Sequence, residues 1–571
     1  MKDARKAALG RRIDQALGRD RADRVIKNAR LLNVITGELA DGDIAICGDR
    51  IVGTYESYDG VDEIDGRGLI AVPGFIDTHV HVESTLVSPA EFDRCVLPRG
   101  TTTAICDPHE IANVLGEVGL GYFLDASLHT ALDLRVQLSS CVPATHLETS
   151  GARLGAAELV RHRDHPKVIG LAEFMNFPGI FAKDDAVLDK LVAFEGAHID
   201  GHAPLVRGYE LNAYAACGIR NCHESTSLEE AREKLRKGIQ VLIRDGSVSK
   251  DVHALAPLID AMNSPFCALC TDDRNPLDIA TEGHIDHLIR AAIGRGAPAT
   301  SVYRAATWSA ARGFGLRDRG LIAPGYRADI VLIDDLAACG VRKVLCGGEI
   351  VGPATFEGRT RITPVGRGSI KLAKITADDL AAPGAGPSTP VIGVLPGQII
   401  TERLQAELPY RDGERHADPA QDILKVCVLA RYGTNRNIGR GFVRGFGLRR
   451  GALASSVGHD SHNVCVVGSN DDDMALAVNR LVDLQGGFVA VMDGQILAEL
   501  ALPLAGLMSE EPFEVVEQRL RVLRSAVRET MGCPLDEPLL QLAFLPLPVI
   551  PHLKITDMGL VDVDRFELVA A

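Results

Sequence analysis

Two histidines separated by one residue, His79 and His81, end a short apolar segment that reads FIDTHVH. Alternate residues of a β-strand point to the same face, so both imidazoles can face one metal ion. A His-x-His pair alone is a weak signal, because paired histidines are also ordinary surface or core residues. A metal site here therefore needs further ligands elsewhere in the chain.

Further ionisable residues follow other short apolar segments. Glu173 closes VIGLAE and His202 closes HIDGH. His223 closes IRNCH, and Asp272 follows FCALCT. Any one of them alone is better explained as a hydrogen-bonded polar residue at a strand end. With the first two histidines they make four imidazoles and two carboxylates, a set that suits a pair of divalent first-row ions without thiolate ligands.

The segments before these residues belong to a regular series. From Phe75 onward, short apolar strands alternate with helical stretches, the pattern of βα units around a parallel sheet. Eight such strands close a (β/α)8 barrel, and barrel enzymes carry their sites at the C-terminal strand ends. One intervening helix, 228–237, has Ser227 and Glu230 as a candidate capping box. The predicted strands are 75–80, 101–106, 134–141, 168–173, 198–202, 219–223, 239–244 and 266–271.

The predicted fold class is α/β, with a TIM-like (β/α)8 barrel inserted in a composite β domain and followed by a C-terminal α+β domain. Residues 1–72 hold an N-terminal helix and the first β segments, 73–320 form the barrel, and 321–380 complete the composite β domain. A linker rich in Pro and Gly, 381–390, precedes the last domain at 391–571. That domain has predicted strands at 423–431, 463–468 and 487–492 and predicted helices at 472–484 and 513–530.

Composition narrows the class of partner. The 571 residues carry a net charge of −15, which disfavours nucleic acid or an anionic membrane surface and leaves a small-molecule substrate. No apolar run is long enough to span a membrane, and the N-terminus has no secretory signal, so a cytoplasmic location is expected. The 13 scattered cysteines indicate reduced thiols. A homo-oligomer is expected.

The motifs around the ligand-type residues resemble those of the binuclear branch of the amidohydrolase superfamily, and more closely those of the adenine deaminases. In several relatives a carboxylated lysine bridges the two metals, and here Glu173 occupies that position. The resemblance implies two divalent ions, Mn²⁺ or Fe²⁺ favoured and Zn²⁺ compatible, and hydrolysis of adenine to hypoxanthine and ammonia in purine salvage. It extends past the linker through RYGTNRNIGRGFVRGFGL and VGHDSHN, and its other motifs are HVESTLVSP, ICDPHEIANVLG, GLAEFMNFPG, DGHAP, CHESTS and CTDDR.

The reaction suggests roles for individual residues. Hydrolytic loss of an aromatic amine needs an activated water and an acid that protonates the ring. Asp272 can both ligate a metal and accept the proton of the attacking water. Glu83 and Glu110 are candidate acids, and Asp107 and His109 are candidate substrate-binding residues. Loop capping or orientation of the histidines is an equally good explanation for these last four.

A second deaminase motif competes with this interpretation. His81 and Glu83 match H-x-E, and Cys267 and Cys270 form C-x-x-C, as in cytidine deaminases. The match is poor because Phe266 separates the proline from the first cysteine, and core packing is the better explanation of both thiols.

A metal site on the C-terminal domain is a weaker alternative. The segment GHDSHN contains His459 and His462, which offer two ligands without a nearby third or fourth.

Two other functions stay open. The first is another cyclic-amide or aminopurine hydrolase on the same scaffold, because a fold and a metal centre do not determine the substrate. The second is a non-catalytic binding protein that retains the barrel, against which the complete set of six ligand-type residues argues.

Overall fold

The N-terminal part of the chain forms a sheet, which is completed by strands that follow the barrel in the sequence. In the computed structural model, which describes residues 2–360 and 362–569, a helix at Lys2–Ala16 precedes this sheet. Strand Ile70–Pro73 pairs antiparallel with Ile330–Ile333, so the chain leaves the sheet before the barrel and returns to it afterwards. The strands are Ala22–Leu32, Leu39–Cys47, Arg50–Thr54, Gly60–Asp65, Ile70–Pro73, Ile330–Ile333, Val341–Cys346 and Glu349–Ile350.

Eight parallel strands form the predicted barrel, as a five-stranded and a three-stranded sheet. The two sheets meet where the Asp272 N–H donates to the His79 carbonyl at 2.9 Å and the His81 N–H donates to the Asp272 carbonyl at 3.2 Å. At the other junction, the Gly201 N–H donates to Asn221 Oδ1 at 2.9 Å. The strands are Phe75–Val80, Thr101–Cys106, Asp133–Leu138, Val168–Phe174, His198–Gly201, Asn221–Cys222, Gln240–Arg244 and Cys267–Cys270.

The predicted strands are confirmed, with shifts at their ends. The third strand ends at Leu138 rather than at residue 141. Beyond Leu138 the chain leaves the sheet, and Ser139 Oγ donates to Asp107 Oδ1 at 2.8 Å, a contact with the neighbouring loop. Strands such as Thr101–Cys106 are buried throughout, as expected of a parallel sheet covered on both faces.

Helices surround the barrel. Leu228–Arg236 begins as predicted, because Ser227 Oγ accepts the Glu230 N–H at 3.3 Å. The second half of the capping box is wrong, since the Glu230 carboxylate accepts from the Leu205 N–H and from Lys234 Nζ instead. The helices are Pro89–Val96, His109–Leu115, Glu117–Ser127, Ala156–Val160, Phe177–Ala182, Asp185–Ala193, Gly208–Ala216, Leu228–Arg236, Val252–Leu255, Pro276–Thr281, Ile285–Gly294, Ala299–Arg304, Ala310–Gly313 and, beyond the barrel, Pro353–Phe356.

An eight-stranded sheet forms the C-terminal part of the chain. Several of its strands were not predicted from the sequence. One is the edge strand Thr401–Glu407, whose residues TERLQAE show no strong apolar alternation. Its strands are Ser388–Val394, Thr401–Glu407, Ile423–Leu429, Ile438–Arg444, Ala452–Ser455, Val464–Gly468, Gly487–Met492 and Gln495–Ala501. The short strands are Tyr410–Arg411, Glu414–Arg415, Leu553–Thr556, Gly559–Asp562 and Glu567–Leu568, and the helices are Asp471–Leu484, Phe513–Ser525 and Pro538–Ala543.

The C-terminal part is joined to a loop of the barrel that contains Thr149. Asp557 Oδ1 accepts the Thr149 N–H at 2.8 Å, and Asn463 Nδ2 donates to the Thr149 carbonyl at 2.8 Å. These contacts bring the segment before Asn463 to the C-terminal ends of the barrel strands. No helix in the described part of the chain is long and apolar enough to cross a membrane.

The segment before the predicted linker contacts the C-terminal sheet. The Lys371 N–H donates to the Arg431 carbonyl at 2.8 Å, and the Ile375 N–H donates to Asn479 Oδ1 at 2.8 Å. The predicted linker, 381–390, is also part of the C-terminal structure, since strand Ser388–Val394 begins inside it and the Arg415 N–H donates to the Ala382 carbonyl at 2.9 Å. We therefore propose that the composite β domain ends before Lys371, that the C-terminal domain begins there, and that the predicted barrel boundaries hold.

Candidate active site

The two histidines of the first barrel strand are held with their Nε2 atoms together. His79 Nδ1 lies 3.1 Å from Asp200 Oδ2, and His81 Nδ1 lies 3.0 Å from the Asp107 carbonyl oxygen. Each acceptor favours a proton on Nδ1, which leaves the Nε2 lone pair free. The two Nε2 atoms are 3.1 Å apart, so two nitrogens suited to a metal converge at one point. Asp200 was not among the site residues predicted from the sequence.

The carboxylate of Glu173 lies between two pairs of histidines. Its Oε1 is 3.3 Å from His81 Nε2 and 3.7 Å from His79 Nε2. Its Oε2 is 2.6 Å from His202 Nδ1 and 3.3 Å from His223 Nε2. One oxygen faces each pair, which is the arrangement that a carboxylate needs to bridge two cations.

His202 and His223 form the second pair, after the fifth and sixth strands. His202 Nδ1 lies 3.2 Å from His223 Nε2, and the His223 ring stacks on the His79 ring with centroids 4.1 Å apart. The other ring nitrogens, His202 Nε2 and His223 Nδ1, are buried without a hydrogen-bond partner among the described residues. Unpaired buried polar atoms are costly, so these two nitrogens need a partner that the described protein groups do not provide.

Asp272 completes the cluster from the eighth strand. Its Oδ1 lies 3.1 Å from His81 Nε2. Its φ of 57° is left-handed, a conformation that few residues other than glycine adopt. The hydrogen bonds that join its backbone to His79 and His81 hold this conformation, so the barrel closure itself positions the carboxylate.

Arg244 and Glu224, which were not predicted as site residues, adjoin Asp272. Arg244 Nη1 donates to Asp272 Oδ2 at 2.9 Å, and the same guanidinium contacts Glu224. Glu224 Oε1 lies 3.8 Å from His223 Nε2. Arg244 ends a predicted strand, as several of the ligand-type residues do. It was not predicted because a positively charged side chain is not a metal ligand.

The loop after the second strand places Asp107 and His109 beside Glu173. His109 Nδ1 lies 3.1 Å from Asp107 Oδ2 and 3.2 Å from Glu173 Oε1. The other nitrogen, His109 Nε2, has no hydrogen-bond partner among the described residues. The structure thus brings both predicted substrate-binding residues to the cluster.

Glu83 and Glu110 are buried carboxyls next to this loop. Burial raises the pKa of Glu83 to about 7, and burial together with the Glu83 charge raises the pKa of Glu110 well above its ordinary value. The Ile111 N–H donates to Glu83 Oε1 at 3.1 Å. Both carboxyls keep one oxygen without a partner in the described chain. Carboxyls of this kind can hold a proton at neutral pH.

A loop from the C-terminal part, residues 458–463, reaches the cluster. His459 Nδ1 lies 3.3 Å from Glu110 Oε1, and Asp460 Oδ1 lies 3.5 Å from His109 Nε2. This loop therefore contributes side chains to the same site as the barrel.

The alternative of a separate metal site at His459 and His462 is not what the structure forms. The Gly458 N–H donates to His462 Nδ1 at 3.2 Å. Among the described residues, His459 groups with His109 and Glu110 as a set that could hold an ion, and no such set contains His462.

The cysteine pair of the competing motif belongs to the core. Cys267 and Cys270 are fully buried in the eighth strand, and no set of potential metal ligands in the described chain contains either. Burial raises the pKa of Cys267 to about 12, which opposes formation of the thiolate that a metal needs. All cysteines are free thiols, as predicted.

A narrow cleft separates the histidine cluster from the C-terminal part. Its volume is 30 Å³, which accommodates about one or two water molecules. A cavity of 780 Å³ lies outside it, and both are lined by Glu224, Arg244, Val248, Ser249 and Ile399. These shared residues form the boundary between the cleft and the outer cavity, so a ligand larger than water requires movement of the surrounding groups.

Comparison with known proteins identifies the family. The Amidohydrolase family model matches residues 70–351, and the Adenine deaminase C-terminal domain model matches residues 398–567. An adenine deaminase of Methylobacterium nodulans is 62% identical over 98% of this chain and 99% of its own length. Those of Gluconobacter oxydans (62% identical, 98% and 99% covered) and Cereibacter sphaeroides (60% identical, 99% and 100% covered) are similarly close. The chain belongs to the adenine deaminase family of the amidohydrolases.

Proposed function

We propose that the protein hydrolyses adenine to hypoxanthine and ammonia, the reaction for which its relatives at 60 to 62% identity are named. The observation that carries this function is the position of Glu173 between two histidine pairs, with Asp272 and two protonatable carboxyls nearby. A hydrolytic deamination uses each of these groups: ligands for the ions that activate water, a proton acceptor and a proton donor.

The donor set fits divalent metal. Family membership and the cluster of imidazoles and carboxylates assign divalent-metal binding to the chain. We propose that the site would hold two ions, with Glu173 as a ligand available to both, and that Mn²⁺ or Fe²⁺ is favoured and Zn²⁺ compatible, because nitrogen and oxygen ligands suit all three. Bound ions of this kind make water a nucleophile near neutral pH. The proposed ligands are His79, His81, Glu173, His202, His223 and Asp272.

The chain's own residues would move the protons. Asp272 is the proposed acceptor of the proton released by the attacking water. As water adds to C6 of adenine, ring N1 must gain a proton, and Glu83 or Glu110 is the proposed donor because each can stay protonated at neutral pH. Asp107 and His109 are proposed to hold the purine beside the cluster.

Turnover of adenine by the metal-loaded protein tests this function. Protein loaded with Mn²⁺ or Fe²⁺ should convert adenine to hypoxanthine, seen as a change in ultraviolet absorbance with release of ammonia, while metal-free protein should not. Guanine and cytosine should be far poorer substrates. If metal-replete protein leaves adenine unchanged but opens a dihydropyrimidine or another cyclic amide, the alternative hydrolase function is correct.

A homo-oligomer in the cytoplasm is also proposed. Leu9, Ile13 and Leu17 are 56%, 48% and 58% exposed and recur every four residues along the N-terminal helix and just after it. Such an apolar stripe suits a contact between copies. The free thiols suit a reducing compartment. Light scattering of the wild type and of Ile13→Glu tests the assembly.

A further inference from the structure

Asp460 is a buried carboxylate with unused hydrogen-bonding capacity. It is 2% exposed and lines the cleft beside the histidine cluster. Its Oδ2 has no hydrogen-bond partner among the described residues, and its Oδ1 is 3.5 Å from His109 Nε2, beyond normal hydrogen-bond length. A buried carboxylate oxygen without a donor is costly, so a ligand in the cleft is the expected source of one.

Asp460 has two histidines, but no lysine or arginine, as charged neighbours among the described residues. These histidines are His109 and His459. Burial raises the pKa of nearby Glu148 to about 8, with a contribution from the Asp460 charge. Glu148 is therefore largely protonated at neutral pH.

Phe544 supports the loop on which Asp460 lies. Its ring stacks on that of His459, with centroids 4.6 Å apart and planes within 9°. Both rings line the same cleft as Asp460. The loop is thus packed against the C-terminal domain, and this domain presents Asp460 to the barrel.

We propose that Asp460 Oδ2 accepts the imidazole N–H of adenine and thereby selects the free base over N9-substituted purines. This inference rests on the proposed deamination of adenine. The proposal places C6 at the cluster and N1 at the proton donor, which leaves the N–H of the five-membered ring for a separate acceptor. This N–H is the one ring donor of neutral adenine, and Asp460 Oδ2 is a buried acceptor without a donor among the described residues. A substituent at N9 removes this hydrogen and leaves Asp460 buried without a donor, which penalises binding.

The test compares adenine with 9-methyladenine in metal-loaded, full-length protein. Asp460→Ala should raise the KM for adenine about 10- to 100-fold, the usual scale for a hydrogen bond to a charged group. The low kcat/KM for 9-methyladenine should stay the same or rise, so that the preference for adenine falls at least about tenfold. Asp460→Asn retains a neutral acceptor, so its KM for adenine and its preference for adenine should lie between those of the wild type and of Asp460→Ala. Asp472→Ala, at an exposed aspartate of the same domain, is the matched control and should keep the wild-type preference.

An equal loss with both substrates, at unchanged metal content, would overturn the inference and leave Asp460 as a positioning residue for His109. Wild-type protein gives a check that does not depend on folding of a variant: 9-methylhypoxanthine should inhibit at least about 100-fold less strongly than hypoxanthine, and equal inhibition contradicts the inference. Failure of the proposed function would look different, since the wild type would then not deaminate adenine at all.

Discussion

Arg244 Nη1 donates to Asp272 Oδ2 at 2.9 Å, while the other carboxylate oxygen, Oδ1, lies 3.1 Å from His81 Nε2. Burial alone would raise the pKa of Asp272, but the contacts with His81 and the charge of Arg244 hold it well below its ordinary value. The carboxylate is therefore ionised and fixed in orientation, which is the state that a proton acceptor needs before the reaction.

Replacement of Asp272 by asparagine should separate metal binding from proton transfer. An amide oxygen still coordinates weakly, but it cannot accept the proton of the attacking water. With metal restored in excess, we expect Asp272→Asn to bind adenine and to lose about 10²- to 10⁴-fold in kcat. Steady-state kinetics with parallel metal analysis measures both. Turnover within a few-fold of wild type would make Asp272 a ligand only.

Replacement of Glu173 by glutamine should lower metal content as well as rate. The substitution removes a negative charge from between the two histidine pairs, where two cations would repel each other. We expect fewer than two ions per chain after dialysis, measured by elemental analysis, whereas wild type should retain two. One ion per chain at full wild-type activity would contradict the binuclear site.

Asp200 should affect metal affinity through His79. The carboxylate accepts from His79 Nδ1 at 3.1 Å and so fixes the ring with Nε2 toward the cluster. We expect Asp200→Ala to weaken metal binding about 10- to 100-fold, the usual cost of losing such a partner. Titration of metal-free protein measures this affinity, and kcat at saturating metal should recover more than in Asp272→Asn. An unchanged affinity would show that His79 needs no orienting carboxylate.

The pH dependence should identify the ring acid. A proton donor works only while protonated, so a contribution from Glu83, with its pKa raised to about 7, is present below pH 7 and lost as pH rises through this value. Glu83→Gln should then lower kcat about 10²- to 10⁴-fold and remove the decrease in kcat that the wild type shows as the pH rises through about 7. The comparison is Glu110→Gln, because burial and the Glu83 charge also hold the Glu110 pKa well above its ordinary value. If the decrease in kcat at higher pH persists in both variants, neither residue is the donor.

Much of the barrel and the cluster could be predicted from the sequence, because local patterns encode them. A short apolar run predicts a buried strand, and the residue at its end then lies at the C-terminal face of a parallel barrel. His79, Glu173 and Asp272 were found in this way, and they lie together in the structure. Strand ends shifted where side chains such as Ser139 form contacts with a neighbouring loop, which no local pattern shows.

The sequence by itself determined which residue types stand at the strand ends, and hence that imidazoles and carboxylates converge. The tertiary structure alone decided which of them touch. Asp200 pairs with His79 across 121 residues of chain, and Arg244 pairs with Asp272 across 28. Asp460 reaches the cleft only because the C-terminal domain packs on the barrel. Such contacts depend on how separate elements are oriented in space, and neither apolar periodicity nor turn composition carries that information.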